Sequence, residues 1–201
     1  MVYPKKRTLG ASERNEAKRV MWHRIVRNIA AGRLRFVDES GANITLARRY
    51  GWAPRNERCL GAVPRNYGHN LTLIASLSLE GIEAPMLLEG AVDTAAFTRY
   101  VEAVLLPTLR PGELVIWDNL SVHKHAPLRA MIEHAGCRLL RLPSYSPDFS
   151  PIELAFSQVK AYLRRVGART QEALEAAIAE AIDQVTAADA KGYYRHCGYV
   201  N

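Results

Sequence analysis

The stretch RLRFVDES, residues 33–40, decides how the rest of the chain is read. Leu34, Phe36 and Val37 make a short apolar run, the mark of a buried strand, and the run stops on two acids, Asp38 and Glu39. The pattern returns in ELVIWDN, residues 113–119, where an apolar run stops on Asp118. Acids at the ends of strands converge on one rim of an open α/β sheet, and ligand sites of such sheets lie there.

Outward from these two strands, NITLARRY (43–50) is expected as a second strand, joined to the first by a tight turn at Gly41 and Ala42. GWAPRNERCLGAVPRNYG (51–68) carries Pro54 and Pro64 and reads as a long loop, of a length that is usually functional or mobile. HNLTLIASLSLEG (69–81) and APMLLEG (84–90) are further strands. Asp93 or Thr94 caps a helix to about Leu106, ended by Pro107 and Pro111. A helix around 126–135 stops at Gly136, and CRLLRLP (137–143) is a short strand. Ser150 then caps a helix with Pro151 at its first position, and Ile152, Phe156, Val159 and Leu163 recur at helical spacing toward the core. A last helix runs from Thr170 to about Val185, burying Leu174, Ile178, Ile182 and Val185. AADAKGYYRHCGYVN closes the chain with no element assigned. The expected class is α/β, a mixed sheet flanked by helices.

Residues 1–32 differ in texture. They are rich in lysine and arginine, and a helix from a Ser12 cap to Ala31 is expected, with Gly32 as its stop. Its apolar residues Val20, Met21, Ile25, Val26 and Ile29 are too few for a core, so the segment reads as a basic arm that leans on the rest.

Bulk properties narrow the function classes. The chain has 201 residues, 48% hydrophobic, enough for one globular unit. No apolar run reaches the roughly 20 residues of a membrane span, and no secretory signal opens the chain, so no membrane role and a cytoplasmic location are expected. The net charge of +7 favours polyanionic partners. Cys59, Cys137 and Cys197 are odd in number and far apart, which speaks for reduced thiols against disulfides or zinc. No G-x-x-x-x-G-K-S/T loop and no G-x-S-x-G elbow is present, leaving phosphate-loop enzymes and serine hydrolases unsupported.

Glu153 joins the two aspartates as the third residue of its helix. Three carboxylates brought together repel one another, and magnesium or manganese relieves that repulsion with hard oxygen ligands. Two such ions, roughly 3.5–4 Å apart, clamp both the attacking and the leaving oxygen of a displacement at phosphorus. Each acid also has a plain structural reading. Asp38 reads as a turn acid beside Ser40 and Gly41, Asp118 with Asn119 as a loop start, and Glu153 as a capping-box glutamate reaching back to the Ser150 N–H. Spacing alone leaves both sets of readings open.

The blocks FVDESGAN (36–43), VIWDNLSVHK (115–124), LPSYSPDFSPIELAFSQVK (142–160) and RHCGY (195–199) together resemble the DDE-type transposases of the mariner-like superfamily, in particular the bacterial insertion-sequence-630 family. Thirty-four residues separate Asp118 from Glu153, the interval characteristic of that superfamily. The resemblance implies a ribonuclease-H-like five-stranded sheet over residues 33–201, behind the basic N-terminal arm of 1–32. It implies Asp38, Asp118 and Glu153 as catalytic, metal-holding acids with two Mg2+ or Mn2+ ions. The implied chemistry is hydrolysis of a phosphodiester at the element's end, then attack of the freed 3′-hydroxyl on target DNA, typically at TA. TA is also an easily bent step.

Second-tier residues follow. The family carries D-N-x-x-x-H where this chain has Asp118, Asn119 and His123. Asn119 reads as a supporting hydrogen-bonder, and His123 as a contact to the scissile phosphate or as a structural donor. Glu39 faces away from Asp38, because successive strand residues alternate. Lys160 and Arg164 lie seven and eleven residues past Glu153, on its helix face, and with Lys124 and the loop arginines Arg48, Arg49, Arg55, Arg58 and Arg65 make the candidate DNA-contacting set. Trp117 reads as core packing rather than a base platform.

Full-length members of the family carry an N-terminal helix-turn-helix part, and about 32 residues before the first strand are too short for one. The expectation is therefore the second half of a split, frameshift-joined or truncated transposase, acting as a homodimer on DNA and located on the nucleoid of a bacterium. The alternatives are a non-catalytic DNA-binding fragment and a ribonuclease-H-like nuclease that cuts without joining.

Overall fold

A computed structural model describes residues 11–48, 50–66, 68–118 and 126–199. Five strands form one mixed sheet in the order β3-β2-β1-β4-β5. They are β1 (Leu34–Ala42), β2 (Leu71–Ser78), β3 (Gly81–Glu89), β4 (Leu114–Trp117) and β5 (Arg138–Arg141). β1–β2 and β2–β3 are antiparallel, while β1–β4 and β4–β5 are parallel. The β2–β3 hairpin turns tightly, and Gly81 sits there at φ +127° with no room for a side chain. A Cβ would lie 2.8 Å from the Val185 carbonyl oxygen.

Helices cover both faces, which is why β2 is buried along nearly its whole length, its polar Ser76 and Ser78 included. On one face α4 (Pro151–Val166), α5 (Gln171–Asp183) and α6 (Ala187–His196) close over Leu34, Phe36, Leu114 and Ile116. On the other, α2 (Thr94–Tyr100) and α3 (Ala126–His134) close over Val37, Val115 and Trp117. β1 and β4 thus send even-numbered side chains to the α4 face and odd-numbered ones to the α2–α3 face, as a pleat requires. Arg35, on the second face and 2% exposed, is held by Glu113 at 3.0 Å and by an ion pair with Glu83.

The strand expected at 43–50 does not form. β1 runs on through Gly41 and Ala42, which pair with Thr72 and Leu71. Asn43 then ends it, its side-chain oxygen accepting from the Thr45 N–H and hydroxyl at 3.1 and 2.7 Å. This local side-chain bonding displaces the ladder. Three other expectations shift. The N-terminal helix is α1 (Glu16–Val26), capped by Asn15 rather than Ser12, and it buries Arg19, Trp22 and Val26 while Val20, Met21 and Ile25 stay exposed. The helix after Asp93 passes from α2 into a π-helical turn, Val101–Leu105, and a 3₁₀ turn to Thr108. The tail is helical. A Thr186–Asp189 capping box starts α6, and the Tyr194 hydroxyl reaches the Leu34 and Leu77 carbonyl oxygens, each at 2.8 Å, tying α6 to the sheet.

Candidate active site

The β1–β4 register places the two aspartates. Phe36 pairs with Ile116, and Asp38 and Asp118 each stand two residues further along. Neighbouring strands lie about 4.8 Å apart, so equivalent positions on them are neighbours. Both residues have the even parity that points to α4. Glu153 is in the first turn of α4, which packs on β1. All three acids line one cleft of about 400 Å³, closed on its other side by Leu142, Pro143, Ser144, Tyr145, Ser146, Pro147 and Ser150.

Glu153 is not consumed by its helix terminus. The Ser150 N–H donates to the Pro147 carbonyl at 2.9 Å, and no side-chain bond caps α4. The capping-box reading is therefore overturned, and the exposed carboxylate stands on the cleft wall. The turn reading of Asp38 falls with the absent turn, since Asp38 lies within β1. Glu39 takes the opposite parity, with Val37, and sits near the buried Tyr100.

Charge is concentrated here. Burial pushes the Asp38 carboxyl up to about 8, and the charges of Glu153, Glu39 and Asp118 add to that rise. The Glu39 N–H, donating to Asp38 Oδ1 at 2.8 Å, opposes it. Such a group of hard oxygen donors, too close to be comfortably ionised together, has the chemistry of a divalent-cation site. Among the described residues, no three acids, histidines or cysteines stand close enough together to hold a metal ion as they are.

The cleft wall contains a residue the sequence reading passed over. Tyr145 lines the cleft, is 57% exposed and has a left-handed backbone, φ 56°. Its signal was an aromatic between two serines beside Pro143 and Pro147, in the same block as Glu153.

The second-tier residues divide. Arg48 and Arg164 come together, lining a groove of about 430 Å³ with Tyr50 and Ala161. Lys160 is half-buried on α4. Arg55, Arg58 and Arg65 are exposed, and none of them lines the acid cleft. Arg49, Asn119, His123 and Lys124 lie outside the described residues. Trp117 is fully buried, edge-on to Phe97 at 5.4 Å between centroids, which is core packing. The three cysteines are free thiols, Cys59 exposed and the others buried.

A mixed five-stranded sheet with acids just past the last parallel pair of β1 and β4, and a third on the helix that covers them, is a ribonuclease-H-like arrangement. Residues 33–175 match the family described as DDE superfamily endonuclease, and the chain belongs to that family. Comparison with curated proteins finds no match. Among solved structures, the Mos1 transposase paired-end complex with left transposon end is similar at a TM-score of 0.70 and 18% identity, over 98% of this chain and 62% of that one. The mariner Mos1 paired-end complex with Mg gives 0.72 at 15% identity, over 98% and 65%. The catalytic domain of Mos1 mariner transposase gives 0.58 at 15%, over 90% and 83%. The chain thus spans less than two thirds of the transposase chains in those complexes.

Proposed function

We propose that this chain is the catalytic part of a DNA transposase of the insertion-sequence-630 group, cutting DNA at an element's ends and joining the freed 3′-hydroxyl to target DNA. The observation that carries the reading is the register equivalence of Asp38 and Asp118 with Glu153 opposite them in one cleft. These acids are the residues that would hold Mg2+ or Mn2+, and their all-oxygen donor set fits either ion. Solved Mos1 structures include forms with Mg and with Mn, which supports that choice. When bound, two such ions activate the attacking oxygen and stabilise the leaving one. The chain's own part is to fix the acids on rigid elements and to position the phosphodiester against them. Residues 33–201 form the catalytic unit in this reading, and 1–32 the arm entering it.

DNA runs from the cleft along α4, where Lys160, Arg164 and Arg48 offer cations to phosphates, and onto the loop arginines Arg49, Arg55, Arg58 and Arg65. Asn119, His123 and Lys124 follow Asp118 by one, five and six residues in the sequence and are assigned supporting and phosphate-contacting roles in this reading. The target is TA-containing DNA, the working form a homodimer bridging two ends, and the location the bacterial nucleoid in the cytoplasm. Element-end recognition falls to a helix-turn-helix part, joined to this chain or supplied as a separate subunit.

The test is a joining assay with a 3′-hydroxyl oligonucleotide, a TA-containing plasmid and Mg2+ or Mn2+, run beside Asp118→Ala. Joined product that needs metal and disappears in the variant is the expected result. Nicking without joining would replace the reading by a nuclease. Salt-sensitive binding with no reaction from the chain, alone or supplemented with a helix-turn-helix partner, would replace it by a non-catalytic DNA-binding fragment.

A further inference from the structure

The wall of the acid cleft is gripped from outside by α1. Arg19, 6% exposed, places its guanidinium on both carboxylate oxygens of Asp148, Nη1 to Oδ1 at 3.1 Å and Nη2 to Oδ2 at 2.5 Å. The same guanidinium lies 3.8 Å from the centroid of the Phe149 ring. His23 meets that ring edge-on at 4.6 Å. Trp22 Nε1 donates to the Tyr199 hydroxyl at 3.1 Å, and that hydroxyl donates to the Phe149 carbonyl at 2.6 Å. Two consecutive residues, Asp148 and Phe149, thus receive the Arg19 and His23 contacts of α1.

Those two residues sit at a decisive point. They belong to the 3₁₀ turn Pro147–Phe149, which joins the Ser144–Ser146 wall to Ser150 and the first turn of α4, where Glu153 stands. The wall has open space on both sides. Leu142, Pro143 and Ser144 line the acid cleft on one side and, on the other, a hollow of about 370 Å³ shared with Lys18, Met21, Trp22 and Ile25 of α1. Open space lies behind Leu142–Ser144, while Ser146, Phe149 and Ser150 are buried, so the clamp at Asp148 and Phe149 holds the turn that carries the wall into α4. A bidentate arginine–carboxylate pair stacked on a ring is suited to this, because it fixes direction as well as distance.

We propose that Arg19 is a positioning residue for the cleft: by clamping Asp148 and Phe149 it sets the Ser144–Ser150 wall and the Glu153 carboxylate, so that α1 and the cleft move as one piece. The proposal rests on the catalytic reading of the cleft. It makes the basic arm more than a tether, since whatever grips the chain ahead of α1 acts on Glu153 through Arg19.

The experiment is amide hydrogen exchange on the full, metal-free chain, comparing wild type with Arg19→Lys, Arg19→Ala, Asp148→Asn and the double variant Arg19→Ala/Asp148→Asn. Arg19→Ala and Asp148→Asn are each expected to speed exchange in 144–153 by about tenfold while β1 and β4 stay protected, with the double variant adding nothing further. Arg19→Lys, which keeps the charge without the fork, falls between and serves if the alanine variant does not fold. Exchange that rises evenly over the molecule, or only within α1, would overturn the proposal. In cleavage assays the same variants should lose kcat about tenfold or more at an unchanged KM for DNA; a change in KM alone would also overturn it. If wild type cleaves nothing, the catalytic reading fails, while the exchange pattern still decides whether Arg19 sets the wall.

Discussion

Two segments outside the sheet carry much of the positive charge, and the fold treats them in opposite ways. α1 is docked: Trp22 and Val26 enter the core and Arg19 is closed over Asp148 and Phe149. Among the described residues, the hydrogen bonds that tie the loop from Asn43 to Asn70 to the domain lie near its ends. Asn43 bonds Asn70 at 2.9 Å, and Arg169 holds the Ile44 and Leu46 carbonyls at 2.9 and 3.1 Å. Between those ties Tyr50, Trp52 and Leu60 stand almost wholly in solvent, and Arg55 and Arg58 are exposed too. Basic charge does not separate the two segments. What separates them is a receptor, since α1 finds a carboxylate, a ring and an apolar socket on the folded domain. An arginine with such a receptor is structural, and one without it remains available to a polyanion.

A variant that touches neither segment sets the scale. Asp118→Asn should cut metal-dependent strand cleavage by roughly 10³-fold or more, the size expected when a group acting in the transition state is lost. Thermal stability and DNA affinity should stay near wild type. Retained cleavage would remove the acid cleft from the mechanism, and with it any reason for α1 to grip the wall. Next in size is a pair of tryptophans. Trp22→Ala empties a socket and strips Tyr199 of its donor, so denaturant titration should show a loss of about 3–5 kcal/mol. Trp52→Ala removes a fully exposed ring and should change stability by less than about 0.5 kcal/mol. Equal effects would erase the contrast between a docked arm and an undocked loop.

The same contrast governs what was legible in the sequence. β1 and β4 were readable because an apolar run beside an acid fits a buried strand near the rim of a sheet; that β1 runs on past Asp38 to Ala42, and that Asp38 and Asp118 share one face, needed the observed pairing with β2 and β4. Glu153 was readable as a helix-start acid, but choosing between cap and cleft needed the Ser150 N–H, which goes to Pro147. NITLARRY failed because alternation measures compatibility with a strand, whereas a strand needs a partner. β2, buried along almost its whole length, already holds that edge of β1. α1 failed differently. Its buried face is Arg19, Trp22 and Val26, and a count of apolar residues skips the arginine and selects the exposed Val20, Met21 and Ile25 instead. α6 went unassigned because its stripe is small and aromatic, although its T-A-A-D capping box was in plain view.

Salt dependence sharpens the contrast further. Replacing Arg55 and Arg58 together by alanine should lower the slope of log affinity against log salt by up to about 2, near 0.9 for each phosphate no longer neutralised. Arg19→Lys should leave that slope unchanged, because Arg19 faces protein and not solvent. Fluorescence anisotropy over about 50–200 mM salt is the measurement. If Arg19→Lys moves the slope and the loop pair does not, the assignment of the two segments is reversed.

A smaller effect belongs to the acid cleft. Asp38 has a carboxyl raised from 3.8 to about 8 in the folded metal-free chain, chiefly by burial and then by Glu153, Glu39 and Asp118. A raised pKa means that the fold prefers the protonated acid. Its stabilising contribution is complete below the unfolded value and is lost as pH rises toward 8. The cleft is partly open to solvent, so the loss is about 1 kcal/mol, well under what the full shift would give at about 1.4 kcal/mol per unit. Asp38→Asn should flatten this part of the stability–pH curve and be more stable than wild type at pH 8 without metal. Divalent metal must reverse the trend, because it binds the carboxylate and competes with the proton. The gain in melting temperature on adding Mg2+ should therefore grow between about pH 6 and 8 in wild type and vanish in the variant. A Mg2+ effect independent of pH would place the ion away from Asp38, and Asp38 and Asp118 would no longer share one role.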